Sequence, residues 1–190
     1  MPHRPPQPTE LKTTSHVQDI LEPHNEPWQV DLKDPATTVM TDFHVRGMFK
    51  ITPDETIDQA LHEMKVAGLR IAFVKEKGSD KLLGSITAYD IMGSKPMEFL
   101  QSVGFADRAV THKDIRVSDI MEHTKDWVVA EMHDVEKASV KDVLTAMQKA
   151  GKTHMPVLEV GEGKQPQLRG LFSSAKILRL TELSRKKAAK

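Results

Sequence analysis

An internal repeat constrains the fold of this chain more than any other feature of its sequence. Thr38-Val-Met-Thr-Asp-Phe43 aligns with Asp119-Ile-Met-Glu-His-Thr124 at an offset of 81 residues. Gly84-Ser-Ile-Thr-Ala-Tyr-Asp90 aligns with Gly170-Leu-Phe-Ser-Ser-Ala-Lys176 at an offset of 86. Matches that keep their order and nearly their spacing indicate two copies of one unit, and short loop insertions account for the drift in offset.

The third matching block lies between these two and has the pattern of an amphipathic helix. Its apolar residues recur at i, i+3, i+4 and i+7, namely at Ile57, Ala60, Leu61 and Met64. This spacing predicts a helix over Thr56–Ala67 that buries one face, and Gly68 follows where a glycine cap is expected. Val140 to Met147 repeats the block at an offset of 83, with Gly151 in the place of Gly68.

Apolar runs after each predicted helix indicate a strand pair. The predicted strands are Ile71–Lys75, Leu82–Ile86, Met155–Val160 and Gln167–Phe172. Polar, glycine-containing segments separate the members of each pair, as in hairpin loops. A second helix is expected to open at Thr87 and at Ser173. Each copy therefore has the order β-α-β-β-α, and the fold class is α/β (α+β).

Proline placement and charge mark the ends of the chain. Seven of the 11 prolines fall in the first 35 residues, where they oppose both helix and sheet. We expect a proline-rich arm over 1–36, a first domain over 37–104, a linker over 105–116, a second domain over 117–183 and a basic tail over 184–190. Within the arm, Ser15 and Gln18 form a capping-box pattern. Trp28 either docks on the body of the protein or exposes its indole.

Composition excludes several function classes. The chain has no cysteine, so thiol nucleophiles, disulfides and thiolate metal sites are excluded. Its 27 basic and 27 acidic residues cancel, which argues against a nucleic-acid partner. No apolar run approaches the roughly 20 residues of a membrane helix. We expect a soluble, cytoplasmic protein that does not bind a membrane.

The segment Gly84–Asp90 has two interpretations. A strand ends and a helix starts here, so backbone N–H groups and the helix dipole favour an anion such as a phosphate. The carboxylate of Asp90 could accept both hydroxyls of a ribose. Thr87 and Asp90 also have the spacing of a capping box. In the second copy Ser173 keeps the hydroxyl, while Lys176 replaces the acid and opposes the helix dipole unless an anion lies nearby.

The order β-α-β-β-α, the Met-containing openings and the Gly-x-x-Thr-x-x-Asp pattern resemble a tandem pair of cystathionine β-synthase (CBS) domains, a Bateman module. The resemblance covers about residues 37–182. It implies two repeats packed about a pseudo-twofold axis, with clefts that hold adenosine-containing ligands. It also implies that Asp90 holds the ribose, that Thr87 reaches ribose or phosphate, and that Met40, Thr41 and Ile86 border the base.

The sequence departs from the family pattern at one motif. The family has a glycine followed five residues later by proline, which Gly151 and Pro156 satisfy. The first repeat has Phe73 where the proline belongs, so each repeat supplies an incomplete half-site. Arg70 and His154 are the expected counter-charges for phosphates.

The resemblance implies a stand-alone sensor. It would not be an enzyme. It would bind AMP, ADP, ATP or S-adenosylmethionine, require no cofactor and pass its state to a separate regulated protein. A homodimer is expected, with a contact face that includes Met97, Phe99, Leu100 and Val103. The alternative is a ligand-free scaffold whose cleft is filled by its own side chains.

Overall fold

The computed structural model describes residues 27–103, 110–161, 163 and 165–188. The strands in this part of the chain are β1 (Thr41–Asp42), β2 (Lys50–Ile51), β3 (Ile71–Lys75), β4 (Leu82–Thr87), β5 (Glu122–His123), β6 (Ala130–Glu131), β7 (His154–Glu159) and β8 (Gln167–Ser173). The α-helices there are α1 (Ile57–Val66), α2 (Ala88–Met92), α3 (Lys95–Val103), α4 (Val117–Ile120), α5 (Met132–Val135), α6 (Val140–Lys149) and α7 (Ser174–Ala188). Short 3₁₀ helices lie at Ala36–Thr38, His112–Asp114 and Thr124–Asp126. The α/β class is confirmed, and the predicted helix and strands differ from these bounds by at most one residue at each end.

The helices that lead each half, α1 and α6, are delimited as their sequence predicts. Thr56 caps α1 by accepting a hydrogen bond from the backbone N–H of Gln59, and the Gln59 side chain completes the capping box. Gly68 and Gly151 follow the two helices with φ of +67° and +63°. Glycine adopts this left-handed conformation without strain, which lets the chain turn directly into the next strand.

The two halves exchange their first strands. One sheet has the order β2-β3-β4-β5, and the other has the order β1-β8-β7-β6. β5, from the start of the second repeat, pairs antiparallel with β4 of the first. β1, from the start of the first repeat, pairs antiparallel with β8 of the second. This reciprocal exchange is the arrangement expected of two repeats related by a pseudo-twofold axis.

The exchange extends to the hydrophobic cores. The core around α1 takes Ile115, Val117 and Ile120 from the segment where the second repeat begins. The core around α6 takes Ala36 and Val39 from the segment where the first repeat begins. Each half is thus completed by residues of the other copy. The domain boundaries drawn from the sequence stay a prediction, because exchanged segments lie on either side of them.

Glycine is required where each exchanged strand crosses its new sheet. A Cβ atom on Gly84 would lie 2.2 Å from the carbonyl oxygen of Glu122 in β5. At the equivalent position of the second repeat, a Cβ on Gly170 would lie 2.8 Å from the carbonyl oxygen of Thr41 in β1. Both obstacles are backbone atoms, so a side chain at either site would push the exchanged strand away.

Gly84→Ala is therefore expected to lower the free energy of unfolding by about 1–3 kcal/mol, the usual cost of overpacking. Chemical denaturation measures the loss. Gly47→Ala is the matched control, because Gly47 is exposed and a Cβ there would meet no atom within 4 Å. Equal stability of the two variants would contradict the close approach of β5 to β4.

The end of the proline-rich arm packs on the second half through residues other than its tryptophan. The backbone N–H of Val30 donates to the carbonyl oxygen of Leu180 at 3.3 Å, and Lys141 N–H donates to the carbonyl of Leu32 at 2.9 Å. Val30 is buried, whereas Trp28 is 85% exposed. Of the two alternatives for Trp28, the exposed indole is confirmed. The capping-box pattern at 15–18 lies outside the described residues.

The face predicted for dimer contacts divides between core and solvent. Phe99 and Leu100 on α3 pack against the core of the first half. Met97 on the same helix is 59% exposed. Phe99 and Leu100 are only partly buried by this core, so the contact face stays a prediction.

Candidate functional site

Asp90 closes a capping box at the start of α2. Its carboxylate oxygen Oδ2 accepts hydrogen bonds from the Thr87 backbone N–H at 2.8 Å and from the Thr87 hydroxyl at 2.7 Å. The backbone N–H of Asp90 donates in return to the Thr87 hydroxyl at 3.1 Å. The capping interpretation is confirmed. It fixes the direction of the carboxylate and leaves its second oxygen, Oδ1, to face other groups.

That second oxygen pairs with a lysine from the next helix. Lys95 Nζ lies 2.8 Å from Asp90 Oδ1. The same ammonium donates to the carbonyl oxygen of Ile120, at the end of α4, at 3.3 Å. The Asp90 carboxylate thus connects α2, α3 and the segment that leads into the second repeat.

Asp90 lines a cleft of about 240 Å³ between the two halves. The residues that line it come from both repeats: Ile71, Ser85, Thr87, Tyr89, Asp90, Lys95, Glu122, Trp127, Val128, Gly151, Lys152, Thr153, His154 and Pro156. Its volume is slightly below the roughly 300–1,000 Å³ of typical small-molecule sites. A ligand of modest size therefore suits it best.

The cleft combines the two half-sites that the sequence shows as incomplete. Thr87 and Asp90, from the first repeat, line it together with Gly151 and Pro156, from the second. The repeat that lacks the proline supplies the carboxylate, and the repeat that lacks the carboxylate supplies the proline. Sequence comparison within one repeat could not find this pairing, because the two motifs meet only across the interface.

Charges within the cleft are balanced. The ammonium of Lys152 forms an ion pair with Oε1 of Glu122, beside the pair between Lys95 and Asp90. Trp127 forms part of the apolar lining, and its ring meets Phe73 edge-on at a centroid distance of 6.0 Å. The cleft therefore offers two carboxylates, two ammonium groups and an aromatic surface.

His154 is uncharged at neutral pH. Its pKa is lowered to about 4: burial lowers it, the carboxylate of Asp90 acts in the opposite direction, and the charge of Arg70 adds a smaller lowering effect. Its Nδ1 lies 3.2 Å from the Thr153 hydroxyl. The role of His154 as a counter-charge for a phosphate stays a prediction, and the ammonium of Lys152 is a positive charge already present in the cleft lining.

Residues 37–95 match the family model of the CBS domain. The chain has the fold of a tandem pair of CBS domains. An uncharacterized conserved protein from Pyrococcus horikoshii has a similar structure, with a TM-score of 0.52 and 21% identity over 82% of this chain and 96% of that one. CBSX2, a CBS-pair protein of Arabidopsis thaliana solved in complex with AMP, has a TM-score of 0.51 and 17% identity over 80% of this chain and 98% of its own. These likenesses show a shared fold. Curated protein sequences contain no match.

The equivalent position on the other side of this CBS pair is different. Lys176 stands in the place of Asp90, and its Nζ lies 3.5 Å from the carbonyl oxygen of Met40. Phe73 stands in the place of Pro156 and is buried at the interface, where its ring meets that of Phe43 edge-on at 5.5 Å. The ring of Phe73 thus takes the position that Pro156 has in the cleft, and the ammonium of Lys176 takes the position of the Asp90 carboxylate.

The remaining predicted site residues lie outside the cleft lining. Thr41 in β1 pairs with Leu171, and Ser173 ends β8 beside Lys176. Ile86 is fully buried in the core of the first half. Arg70 donates to the Tyr89 hydroxyl at 2.8 Å and lines a neighbouring groove of about 450 Å³. The position in the second half that is equivalent to the Asp90 site is therefore surrounded by Met40, Thr41, Ser173 and Lys176.

The cleft residues that sequence reasoning missed include Lys95, Glu122, Trp127 and Lys152. Lys152 lies inside the Gly151–Pro156 motif, and Glu122 aligns with Thr41 at an offset of 81, so both carried a signal. Lys95 carried none, because α2 ends at Met92 and a new helix then turns the lysine back toward Asp90. Trp127 lies beyond the last aligned residue of its block and also carried none.

In the residues that the structure describes, no helix is long and apolar enough to cross a membrane. Within the same residues, no group of three or more histidine or acidic side chains is arranged to hold a metal ion.

Proposed function

We propose that this CBS pair is a sensor that binds an adenosine-containing ligand in the cleft lined by Asp90. The observation that carries the proposal is the meeting of Thr87 and Asp90 from one repeat with Gly151 and Pro156 from the other in one cleft. Each group of residues is half of the ligand pattern of the family, and the cleft joins them.

The lining suits each part of an adenosine nucleotide. A carboxylate held by its capping box is a rigid acceptor for the vicinal hydroxyls of a ribose. The ring of Trp127, with Ile71 and Val128 beside it, is a surface for an aromatic base. The ammonium of Lys152 is the counter-charge for a phosphate once it leaves Glu122.

The fold supports the same ligand class. CBSX2, solved in complex with AMP, shares the fold. Its ligand is compatible with a cleft of about 240 Å³ and balanced charge, which suits a small nucleotide better than a triphosphate. Among AMP, ADP, ATP and S-adenosylmethionine, we therefore expect AMP or S-adenosylmethionine to bind best.

Binding rather than catalysis is the proposed output. A ligand between the halves stabilises the arrangement of repeats that holds it best and shifts the population toward that arrangement. The proposed response is read by a separate regulated protein in the cytoplasm, and the CBS pair acts as a homodimer. No cofactor is required for this role.

A panel of AMP, ADP, ATP, NAD and S-adenosylmethionine tests the proposal. A ligand present at 100 times its Kd should raise the free energy of unfolding by about 2.7 kcal/mol, which a thermal-shift assay detects. Trp28→Phe removes one of two tryptophans, so the fluorescence of Trp127 then reports directly on the cleft. We expect one ligand per chain in calorimetry.

A ligand-free scaffold is the second candidate. It is favoured by the fact that both oxygens of the Asp90 carboxylate are already bonded within the protein. No thermal shift and no change in Trp127 fluorescence with any member of the panel would support the scaffold and overturn the sensor.

A further inference from the structure

The carboxylate of Asp90 has little capacity left for a ligand. Its Oδ2 accepts two hydrogen bonds from Thr87, and its Oδ1 holds the ammonium of Lys95. A carboxylate has about four lone-pair positions, so one remains. A ribose diol that donates both hydroxyls to Asp90 must therefore displace one of these groups.

Lys95 is the group that can leave. The bonds from Thr87 form the capping box of α2, and breaking them would uncap the helix. The side chain of Lys95 is 39% exposed and that of Asp90 is 20% exposed, so water can take up the ammonium when it departs. An ion pair with this exposure contributes little stability.

The position of Lys95 in its helix also opposes a purely structural role. It is the first residue of α3, where the helix dipole disfavours a positive charge. The carboxylate of Asp90 and the carbonyl of Ile120 offset this cost. Lys95 is thus held by partners outside its own helix, and one of them is the acceptor that a ribose needs.

We propose that Lys95 competes with the ligand for Asp90 and so sets both the affinity of the cleft and its selectivity for ligands with a vicinal diol. The proposal rests on the function proposed above and names the group that a ligand displaces. Because the same ammonium binds Ile120, its departure also removes a contact between α3 and α4. Ligand binding is thereby linked to the segment that joins the repeats.

The test compares Lys95→Met with the unmodified protein, using AMP and 2′,3′-dideoxy-AMP as probes in calorimetry. Methionine keeps the length of the aliphatic stem and removes the charge. AMP affinity should rise about two- to fivefold in Lys95→Met, the range expected when a half-exposed ion pair is lost. Affinity for the dideoxy analogue should not change, because it has no hydroxyls to compete for Asp90.

Two further variants act as controls. Lys95→Arg retains a charge beside Asp90 and should keep the AMP affinity close to that of the unmodified protein. Lys75→Met removes a comparable pair, in which Lys75 Nζ lies 2.7 Å from Asp80 in the β3–β4 hairpin. It should leave the affinities for both probes unchanged.

The outcomes separate this proposal from the proposed function. If Lys95→Met binds AMP and the dideoxy analogue more weakly by the same factor, Lys95 contacts the phosphate and the competition is refuted. If the unmodified protein binds AMP but Lys95→Met binds it no more tightly, only the role of Lys95 is refuted. If neither protein binds any nucleotide, the sensor function fails and the competition fails with it.

Discussion

Asp90→Ala is expected to weaken AMP binding by about 10- to 100-fold, because the variant loses charge-assisted hydrogen bonds worth about 1.5–3 kcal/mol. The Asp90 carboxylate is the one acidic group that the sequence pattern, the family resemblance and the cleft lining have in common. Calorimetry with AMP measures the change. In this variant Lys95 loses its carboxylate partner and can approach a phosphate of the ligand. That approach would offset part of the loss of affinity.

The variant also breaks the capping box of α2, so its stability must be separated from its affinity. Removal of a cap costs about 0.5–2 kcal/mol. Asp142 provides the matched control: its Oδ2 accepts a hydrogen bond at 3.0 Å from the Ser139 backbone N–H in the box that caps α6. Asp142→Ala should lose similar stability and keep its AMP affinity. If Asp90→Ala also binds AMP as tightly as the unmodified protein, Asp90 does not hold the ribose.

The local elements of this fold were predictable because their causes are local. The helix α1 follows from a capping box at Thr56, an apolar stripe and Gly68, all within 13 residues of sequence. The strands β3 and β4 are buried apolar runs separated by a glycine-containing turn. Because the sequence repeats, the same local patterns occur a second time in the second half. The β-α-β-β-α order was confirmed in both halves.

The strand exchange was not predictable, because a two-residue strand carries no signal for its partner. β1 and β5 are too short to show alternation, and their partners lie more than 30 residues away along the chain. Gly84 and Gly170 were visible as matching glycines. Their role as points of close backbone approach appears only once β5 and β1 are in place.

The candidate site depended on the same long-range information. Asp90 was found from a local motif. Its capping function is confirmed and its ligand function stays a prediction, since one oxygen serves the cap and the other faces Lys95. The combination of Asp90 with Pro156 required the packing of the two halves. When each repeat is considered alone, each has an incomplete ligand motif. In the structure, the Asp90 motif of one repeat and the Pro156 motif of the other line the same cleft.

The protonation of His154 gives the second large expected effect, a loss of stability as the pH falls from about 6.5 to 4. Burial holds the pKa of His154 at about 4 in the folded protein, against an ordinary value of 6.5. Within this range the unfolded chain binds a proton that the folded protein does not, so acid favours unfolding. The loss amounts to at most about 3 kcal/mol.

Aspartates with a lowered pKa, such as Asp42, act in a lower pH range than His154. Burial tends to raise the pKa of Asp42, but the backbone N–H of His44 and the guanidinium of Arg169 outweigh it and bring the pKa below the ordinary 3.8. The stability that Asp42 contributes is therefore present above that value and is lost only as the pH falls below it. The decline expected from His154 lies above that range, between about pH 6.5 and 4.

His154→Gln should flatten the decline, because glutamine keeps a polar group in the cleft and takes up no proton. Chemical denaturation at several pH values gives the free energy of unfolding of each protein. His62→Gln, at an exposed position on α1, should keep the full decline because it leaves His154 in place. An identical decline in His154→Gln and the unmodified protein would show that the imidazole has the same pKa in the folded protein as in the unfolded chain. In that case His154 would gain its positive charge below about pH 6.5, and the phosphate contact expected from the sequence would form at mildly acidic pH.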